Sequence, residues 1–118
     1  MAAAADRRRA AGEDARGEGG DVPYRELRQQ VIDTCLQMNR IGINQGTSGN
    51  VSCRVPGGEG FLVTASGVPY ERMRPEQVVY VDLKGDYYGD FLPSSEWRMH
   101  YDIYLRVPAA AAVVHAHP

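Results

Sequence analysis

Apolar side chains recur at steps of three and four residues in the segment from Asp21 to Ile43. This spacing predicts an amphipathic helix, because it places the apolar side chains on one face. Asp21 suits the helix N-terminus as a cap or dipole partner, Pro23 suits its first turn, and Gly42 suits its end. The expected apolar stripe consists of Leu27, Val31, Cys35, Met38 and Ile41.

Shorter apolar runs rich in β-branched residues follow at 51–55, 61–64 and 78–83. They predict three strands, because such runs bounded by glycine and polar turns are typical of β-structure. The first two runs flank the glycine-rich segment Pro56–Gly60 and therefore predict a hairpin. Since a hairpin requires antiparallel pairing, at least part of the sheet is expected to be antiparallel.

A second helix is expected in the segment SSEWRMHYDIYLRV, with Ser94 or Ser95 as its N-cap and Glu96 in its first turn. Pro108 is expected to end this helix, and the alanine- and valine-rich run 109–117 predicts a last strand. The order helix, hairpin, strand, helix, strand indicates an α/β domain. Because the last strand leaves the sheet half-built, we expect the 118-residue chain to be a fragment or a truncated product.

Residues 1–21 contain alanine, arginine, glycine and acidic residues but almost no large apolar side chain. Such a composition cannot offset the entropy of ordering, so we predict a disordered tail followed by one domain over 22–118. The tail has no apolar segment like that of a secretory signal, and its acidic residues disfavour a transit peptide. No apolar run is long enough to cross a bilayer, so we expect a soluble cytoplasmic protein with no membrane partner.

The charge balance disfavours a nucleic-acid partner, because the net charge is -2, the pI is about 5.9 and no basic stripe occurs outside the tail. Cys35 and Cys53 lack the spacing of a metal clip, so we expect both to be reduced thiols that pack like small apolar residues. Lys84 is the single lysine and lies in a polar turn. This disfavours Schiff-base chemistry and favours chemistry that depends on a metal.

His115 and His117 are separated by one residue in the predicted last strand. Because side chains at i and i+2 share a face, both imidazoles would point the same way, about 6 to 7 Å apart. The alternative is a half-buried strand edge, since zinc usually needs at least three protein ligands. Glu96 is either a third ligand or base, or a helix cap. His100 lies on the same helix face as Glu96, four residues later. It either chelates a metal together with Glu96 or packs as an ordinary side chain.

Three polar loops, NQGTSGN, TASGVP and PSSE, combine glycine or a helix start with hydroxyl and amide side chains. Backbone N–H groups in such segments bind oxyanions. Each loop also has a plain structural explanation as a turn or a helix cap. If the fold brings the loops together, they form an anion site.

Three longer stretches carry a family resemblance: IDTCLQMNRIGINQGTSGNVSCRV, LVTASGVPYERM and LPSSEWRMHYDIYLRVPAAAAVVHAHP. In this order and spacing they resemble the N-terminal part of the class II aldolase/adducin family. The resemblance covers Val22 to Pro118, and residues 1–21 have no counterpart in it. It implies an α/β fold with α/β/α layers and a central, largely antiparallel sheet that is incomplete here.

The resemblance also implies a site. A zinc ion would be held by Glu96, His115 and His117, and by a fourth family histidine that matches no residue of this chain. Glu96 would be ligand and general base by turns. The phosphate of a sugar phosphate would be held by Asn50, Ser66, Gly67, Ser94 and Ser95.

The implied reaction is retro-aldol cleavage of a ketose 1-phosphate, such as L-fuculose 1-phosphate, to dihydroxyacetone phosphate and an aldehyde. Full-length members of the family are expected to be homotetramers. Sugar-phosphate epimerases of the family typically have a Ser-Ser-Asp pattern at this site. This chain has Ser-Ser-Glu there, so Glu96 favours a lyase. A methylthioribulose-phosphate dehydratase and a non-catalytic adducin-like interaction module stay open, although the retained ligands disfavour the module. We expect activity to be impaired in this chain by itself.

Overall fold

The computed structural model describes residues 22–118, and the predicted disordered tail at 1–21 lies outside the described residues. Two short 3-10 turns, Tyr70–Arg72 and Pro75–Gln77, join the second and third strands. No helix within the described part is long and apolar enough to cross a membrane. In chain order, the helices and strands are α1 (Arg25–Arg40), β1 (Asn50–Arg54), β2 (Gly60–Val63), β3 (Val79–Asp82), β4 (Tyr87–Tyr88), α2 (Trp97–Arg106) and β5 (Ala112–His115).

The strands of residues 22–118 form one antiparallel sheet in the order β4-β3-β2-β1-β5. The predicted hairpin is confirmed as β1 and β2, in which Cys53 lies opposite Leu62. β5 is shorter than the predicted run and pairs with the other side of β1, so that His115 lies opposite Asn50. β4 is a two-residue strand that the apolar pattern did not separate from the polar turn before it.

The two helices lie on opposite faces of the sheet. Side chains alternate along β1, so Asn50 and Ser52 point to the same face. There they contact Glu96 and His100 at and beyond the start of α2. α1 packs against β1 and β2 on the other face, which includes Val51. The expected arrangement of α/β/α layers is therefore confirmed.

α1 begins at Arg25 and ends at Arg40, inside the predicted limits. Ile41 is 57% exposed, so the predicted apolar stripe is wrong at this position. The reason is that Ile41 is the C-cap residue, where the chain leaves the helix and no longer faces the sheet. The expected role of Asp21 at the helix start lies outside the described residues.

Arg28 is buried on α1, where the stripe pattern gave no reason to expect a charged side chain. Its guanidinium donates hydrogen bonds to the carbonyl oxygens of Pro23, at 2.7 Å, and Val78, at 2.6 Å. Burial lowers the pKa of Arg28 to about 10. A third hydrogen bond goes to the Pro75 carbonyl at 3.3 Å. The bonds to Pro75 and Val78 hold α1 against the segment that enters β3.

α2 begins at Trp97, and its N-cap is Glu96 rather than Ser94 or Ser95. The expected cap is wrong because the chain before Glu96 is still paired with the segment after β2. An isolated bridge joins Ala65 to Pro93, and the Ser94 N–H donates to the Thr64 carbonyl at 2.8 Å. Pro108 lies beyond the end of α2, as predicted.

His100 is fully buried between α2 and β1. Its Nδ1 lies 2.6 Å from the Ser52 Oγ, and its Nε2 lies in hydrogen-bond contact with the Asn50 Oδ1. Desolvation lowers the pKa of His100 to about 4; nearby His115 also lowers it, and Glu96 opposes the shift. The folded chain therefore holds this imidazole neutral.

The buried imidazole predicts a loss of stability in mild acid. Above about pH 6.5 His100 is neutral in both the folded and unfolded states, so its contribution is complete. Between about pH 6.5 and 4 the unfolded chain binds a proton that the folded chain excludes. The free energy of unfolding therefore falls with falling pH, by on the order of 3 kcal/mol for this group.

The measurement is urea unfolding with chelator present, at neutral pH and near pH 4.5, for the wild type and His100→Gln. Glutamine does not titrate, so the variant should lose less stability on acidification than the wild type. An equal loss in the two proteins would contradict the assignment to His100.

Candidate metal and anion site

Glu96, His115 and His117 lie together at the end of β5 and the start of α2. Their ligand atoms all lie within 4.8 Å of one another. The Glu96 Oε1 lies 3.1 Å from the His117 Nε2 and 3.3 Å from the His115 Nδ1. The structure thus brings together the three residues that the sequence singled out as ligands. Their role as ligands stays a prediction.

The pairing of β5 with β1 positions the first histidine, and a buried asparagine positions the second. His115 lies opposite Asn50 in the sheet. His117 lies beyond the strand, where its N–H donates to the Asn44 Oδ1 at 2.8 Å and its carbonyl accepts from the Gln45 N–H at 3.1 Å. The two imidazole centroids are consequently 4.5 Å apart, closer than strand geometry alone implies.

The Glu96 carboxylate is surrounded by groups that favour its charged form. The Asn50 Nδ2 donates to its Oε1 at 2.7 Å. This hydrogen bond is the largest cause of a lowered pKa at Glu96, and contacts with His117 and His115 act in the same direction. The carboxylate is therefore an anion at neutral pH, which is the form that binds a cation.

The donor set fits a divalent metal. The His115 Nδ1 is buried and has no hydrogen-bond partner among residues 22–118, although it points toward the carboxylate of Glu96. A buried nitrogen without a partner is costly unless something binds it. Two imidazole nitrogens and one carboxylate oxygen are ligands that zinc accepts. His100 is not part of this group; of the two roles left open by the sequence, the structure shows the packed one, with its ring bonded to Ser52 and Asn50.

A polar cleft lies next to this cluster. All five residues predicted to hold a phosphate line it, and Glu96 lines it as well. The cleft is therefore continuous with the candidate metal ligands through a single side chain. The predicted residues on its wall are Asn50, Ser66, Gly67, Ser94 and Ser95.

Backbone pairing explains why two of the polar loops meet. The Ser66 N–H donates to the Leu92 carbonyl at 2.9 Å, next to the bridge between Ala65 and Pro93. This contact sets TASGVP beside PSSE. Gly67 follows with φ +72°, a left-handed conformation that favours glycine.

The NQGTSGN loop contributes more residues to the cleft than Asn50, the one residue singled out from it in the sequence. Thr47 and Ser48 line the cleft together with Asn50, and Thr64 and Tyr70 complete its wall. The Tyr70 hydroxyl donates to the Gly49 carbonyl and holds that loop in place. The polar loops signalled Thr47, Ser48 and Thr64, but no local pattern marked Tyr70.

Comparison with known proteins places this geometry in a family. The family model described as Class II Aldolase and Adducin N-terminal domain matches residues 29–118. L-fuculose phosphate aldolase of Haemophilus influenzae is 51% identical over 92 residues, which are 78% of this chain and 42% of that protein. A 5-methylthioribulose-1-phosphate/5-deoxyribulose-1-phosphate aldolase of Rhodospirillum rubrum is 44% identical over 91 residues, covering 77% of this chain and 40% of that protein.

Comparison with solved structures gives the same family. An L-fuculose 1-phosphate aldolase superposes with a TM-score of 0.74 at 29% identity, covering 78% of this chain and 44% of its own. The L-fuculose-1-phosphate aldolase of Thermus thermophilus gives a TM-score of 0.62 at 35% identity, covering 79% and 44% of the two chains. The chain spans less than half the length of these relatives. The family resemblance predicted from the sequence is confirmed: this chain belongs to the class II aldolase and adducin N-terminal domain family.

Proposed function

We propose that the protein carrying this chain is a zinc-dependent aldolase. It would cleave a ketose 1-phosphate, such as L-fuculose 1-phosphate, to dihydroxyacetone phosphate and an aldehyde. The observation that carries the proposal is the position of Glu96, which belongs to the three-residue ligand cluster and also lines the polar cleft. The names of relatives that are about 50% identical support this reaction class.

The zinc ion would be held by Glu96, His115 and His117. When bound, it would supply positive charge that stabilises the negative charge developing on substrate oxygens as the carbon–carbon bond breaks. An imidazole binds a metal through an unprotonated ring nitrogen. The His115 Nδ1, which has no hydrogen-bond partner among residues 22–118, is positioned to bind the zinc ion.

The cleft would hold the phosphate of the substrate. Its walls offer hydroxyl groups from Ser66, Ser94 and Ser95 and the turn at Gly67, while Asn50 adds an amide. Asn50 Nδ2 carries two hydrogens and gives one to Glu96, so the other is available to a ligand in the cleft. Among residues 22–118, the side chains that line this wall include no lysine or arginine, so these residues would bind the phosphate through hydroxyl and N–H donors.

Glu96 would also move the proton that the reaction requires. A carboxylate that belongs to the ligand cluster and also lines the cleft can accept a proton from, or return it to, the carbon next to the substrate carbonyl. Its lowered pKa keeps it unprotonated before substrate arrives. The hydrogen bond from Asn50 holds the carboxylate in this position.

A second substrate has support from the comparisons. The relatives named as 5-methylthioribulose-1-phosphate/5-deoxyribulose-1-phosphate aldolases are 44% to 47% identical over the same region. Both substrates carry a phosphate, so the cleft suits either one. We place L-fuculose 1-phosphate first because the identity to its aldolases is higher, at 49% to 51%. Cytoplasmic location and a homotetramer belong to the same proposal.

We expect the chain to bind one zinc ion. Glu96→Gln, His115→Ala and His117→Ala should each lower zinc affinity by at least about tenfold, because each removes one of three ligands. Asp102→Asn is the matched control, since Asp102 is an exposed carboxylate on α2 that pairs with Arg106. Affinity is measured by competition with a chromophoric chelator at neutral pH. Equal affinity in all four variants would contradict the site.

Ser95→Asp should weaken binding of inorganic phosphate. The added carboxylate would place like charge on the cleft wall. The control is Gln30→Asp, which adds the same charge on the exposed side of α1. Binding is followed by chemical-shift changes of the cleft residues in NMR titrations. The cleft is not the anion site if the shifts map elsewhere, or if both variants respond alike.

The activity test is a coupled assay for dihydroxyacetone phosphate with the natural full-length protein. Cleavage of L-fuculose 1-phosphate should stop with chelator and in His115→Ala, and should persist in Asp102→Asn. The same assay with 5-methylthioribulose 1-phosphate decides between the substrates. Zinc binding without cleavage of either would overturn the aldolase proposal, and loss of both zinc binding and cleavage would favour a non-catalytic module.

A further inference from the structure

A buried chain of hydrogen bonds leads from the interior to Glu96. Ser52, His100 and Tyr104 are each less than 3% exposed. The Tyr104 hydroxyl lies 2.8 Å from the Ser52 Oγ, which lies 2.6 Å from the His100 Nδ1. The other ring nitrogen of His100 contacts the Asn50 Oδ1, and the Asn50 Nδ2 donates to Glu96. None of the three buried groups lines the cleft or belongs to the ligand cluster.

The spacing of side chains on β1 and α2 produces this series of hydrogen bonds. Asn50 and Ser52 are two residues apart on β1 and share a face, while Glu96, His100 and Tyr104 follow one side of α2 at steps of four. Two strand residues advance by about 6.8 Å and four helical residues by about 6 Å. The side chains of β1 and α2 therefore meet in alternation.

The direction of each hydrogen bond follows from the carboxylate. An ionised Glu96 only accepts hydrogen bonds, so Asn50 must present its NH₂ group there and its oxygen toward His100. The oxygen requires a proton on His100 Nε2. A neutral His100 then has an unprotonated Nδ1, which must accept from Ser52, and Ser52 in turn accepts from Tyr104.

We propose that His100, supported by Ser52 and Tyr104, is a positioning residue that fixes the Asn50 amide so that its NH₂ group faces Glu96. The expected effect of His100 on zinc binding rests on the proposed function. The orientation of Asn50 rests on the hydrogen bonds alone. With the opposite tautomer, the Asn50 amide would rotate and turn its oxygen toward the carboxylate. Outer-shell partners of metal ligands commonly change metal affinity by about 10- to 100-fold.

A pair of substitutions separates this role from simple packing. Glutamine at position 100 can place an N–H near the position of Nε2 and donate to Asn50. Asparagine is one bond shorter and can accept from Ser52 near the position of Nδ1, but cannot reach Asn50. We expect His100→Gln to bind zinc within about threefold of the wild type, and His100→Asn to bind about tenfold or more weakly.

Val31→Ala is the control for stability. Val31 is buried on α1, on the opposite face of the sheet, so its truncation destabilises the fold without touching the hydrogen-bond chain. Its zinc affinity should equal that of the wild type. Equal losses of zinc affinity in His100→Gln and His100→Asn would overturn the positioning role, as would a loss in Val31→Ala that scales with its stability.

The ring tautomer gives a measurement that needs neither metal nor activity. Long-range ¹H–¹⁵N NMR spectra of the metal-free chain should show His100 protonated at Nε2 and unprotonated at Nδ1, with the signal assigned by its absence in His100→Gln. Protonation at Nδ1 would overturn the inference even if His100→Asn failed to fold. If the wild type bound no zinc, the proposed function would fail, while the tautomer would still decide the orientation of Asn50.

Discussion

The antiparallel pairing of β5 with β1 is the contact on which the rest of the site depends. It sets His115 opposite Asn50, and it carries the chain onward to the point where Asn44 holds His117. Without this register the two histidines would be a pair near the end of a strand. With it, they meet a carboxylate from another element, and three ligand atoms gather within 4.8 Å. A shift of one residue would turn His115 to the opposite face of the sheet.

Asn50 is the residue at which the separate parts of the site meet. Its backbone belongs to β1, its oxygen faces the buried His100, and its NH₂ group faces Glu96. It also lines the cleft that the proposed phosphate would occupy. One amide thus joins the core, the cluster of candidate ligands and the polar cleft. Because both of its polar atoms are used, its orientation is determined by its neighbours rather than by its own rotamer preference.

The shared position of Glu96 gives the family assignment a chemical meaning. The proposed aldolase reaction would require the protein to hold a charged substrate group, stabilise developing negative charge and move a proton within a small volume. Here the cleft, the ligand cluster and the carboxylate adjoin one another. The neutral, buried His100 behind them supplies a fixed hydrogen-bond donor at the cost of stability in acid. Stability and site geometry therefore depend on the same imidazole.

The sequence by itself determined the type and order of most elements, because the periodicity of α1 and the turn between β1 and β2 are local signals. It also singled out the residues at the site, since a His-x-His pair, Glu96 and the polar loops are visible without a fold. Tertiary structure decided the rest. The bridge from Ala65 to Pro93 moved the cap of α2 to Glu96, and burial set the roles of Arg28 and His100. Neither effect has a local signature, because each depends on which distant backbone or side-chain group the fold brings within hydrogen-bond distance.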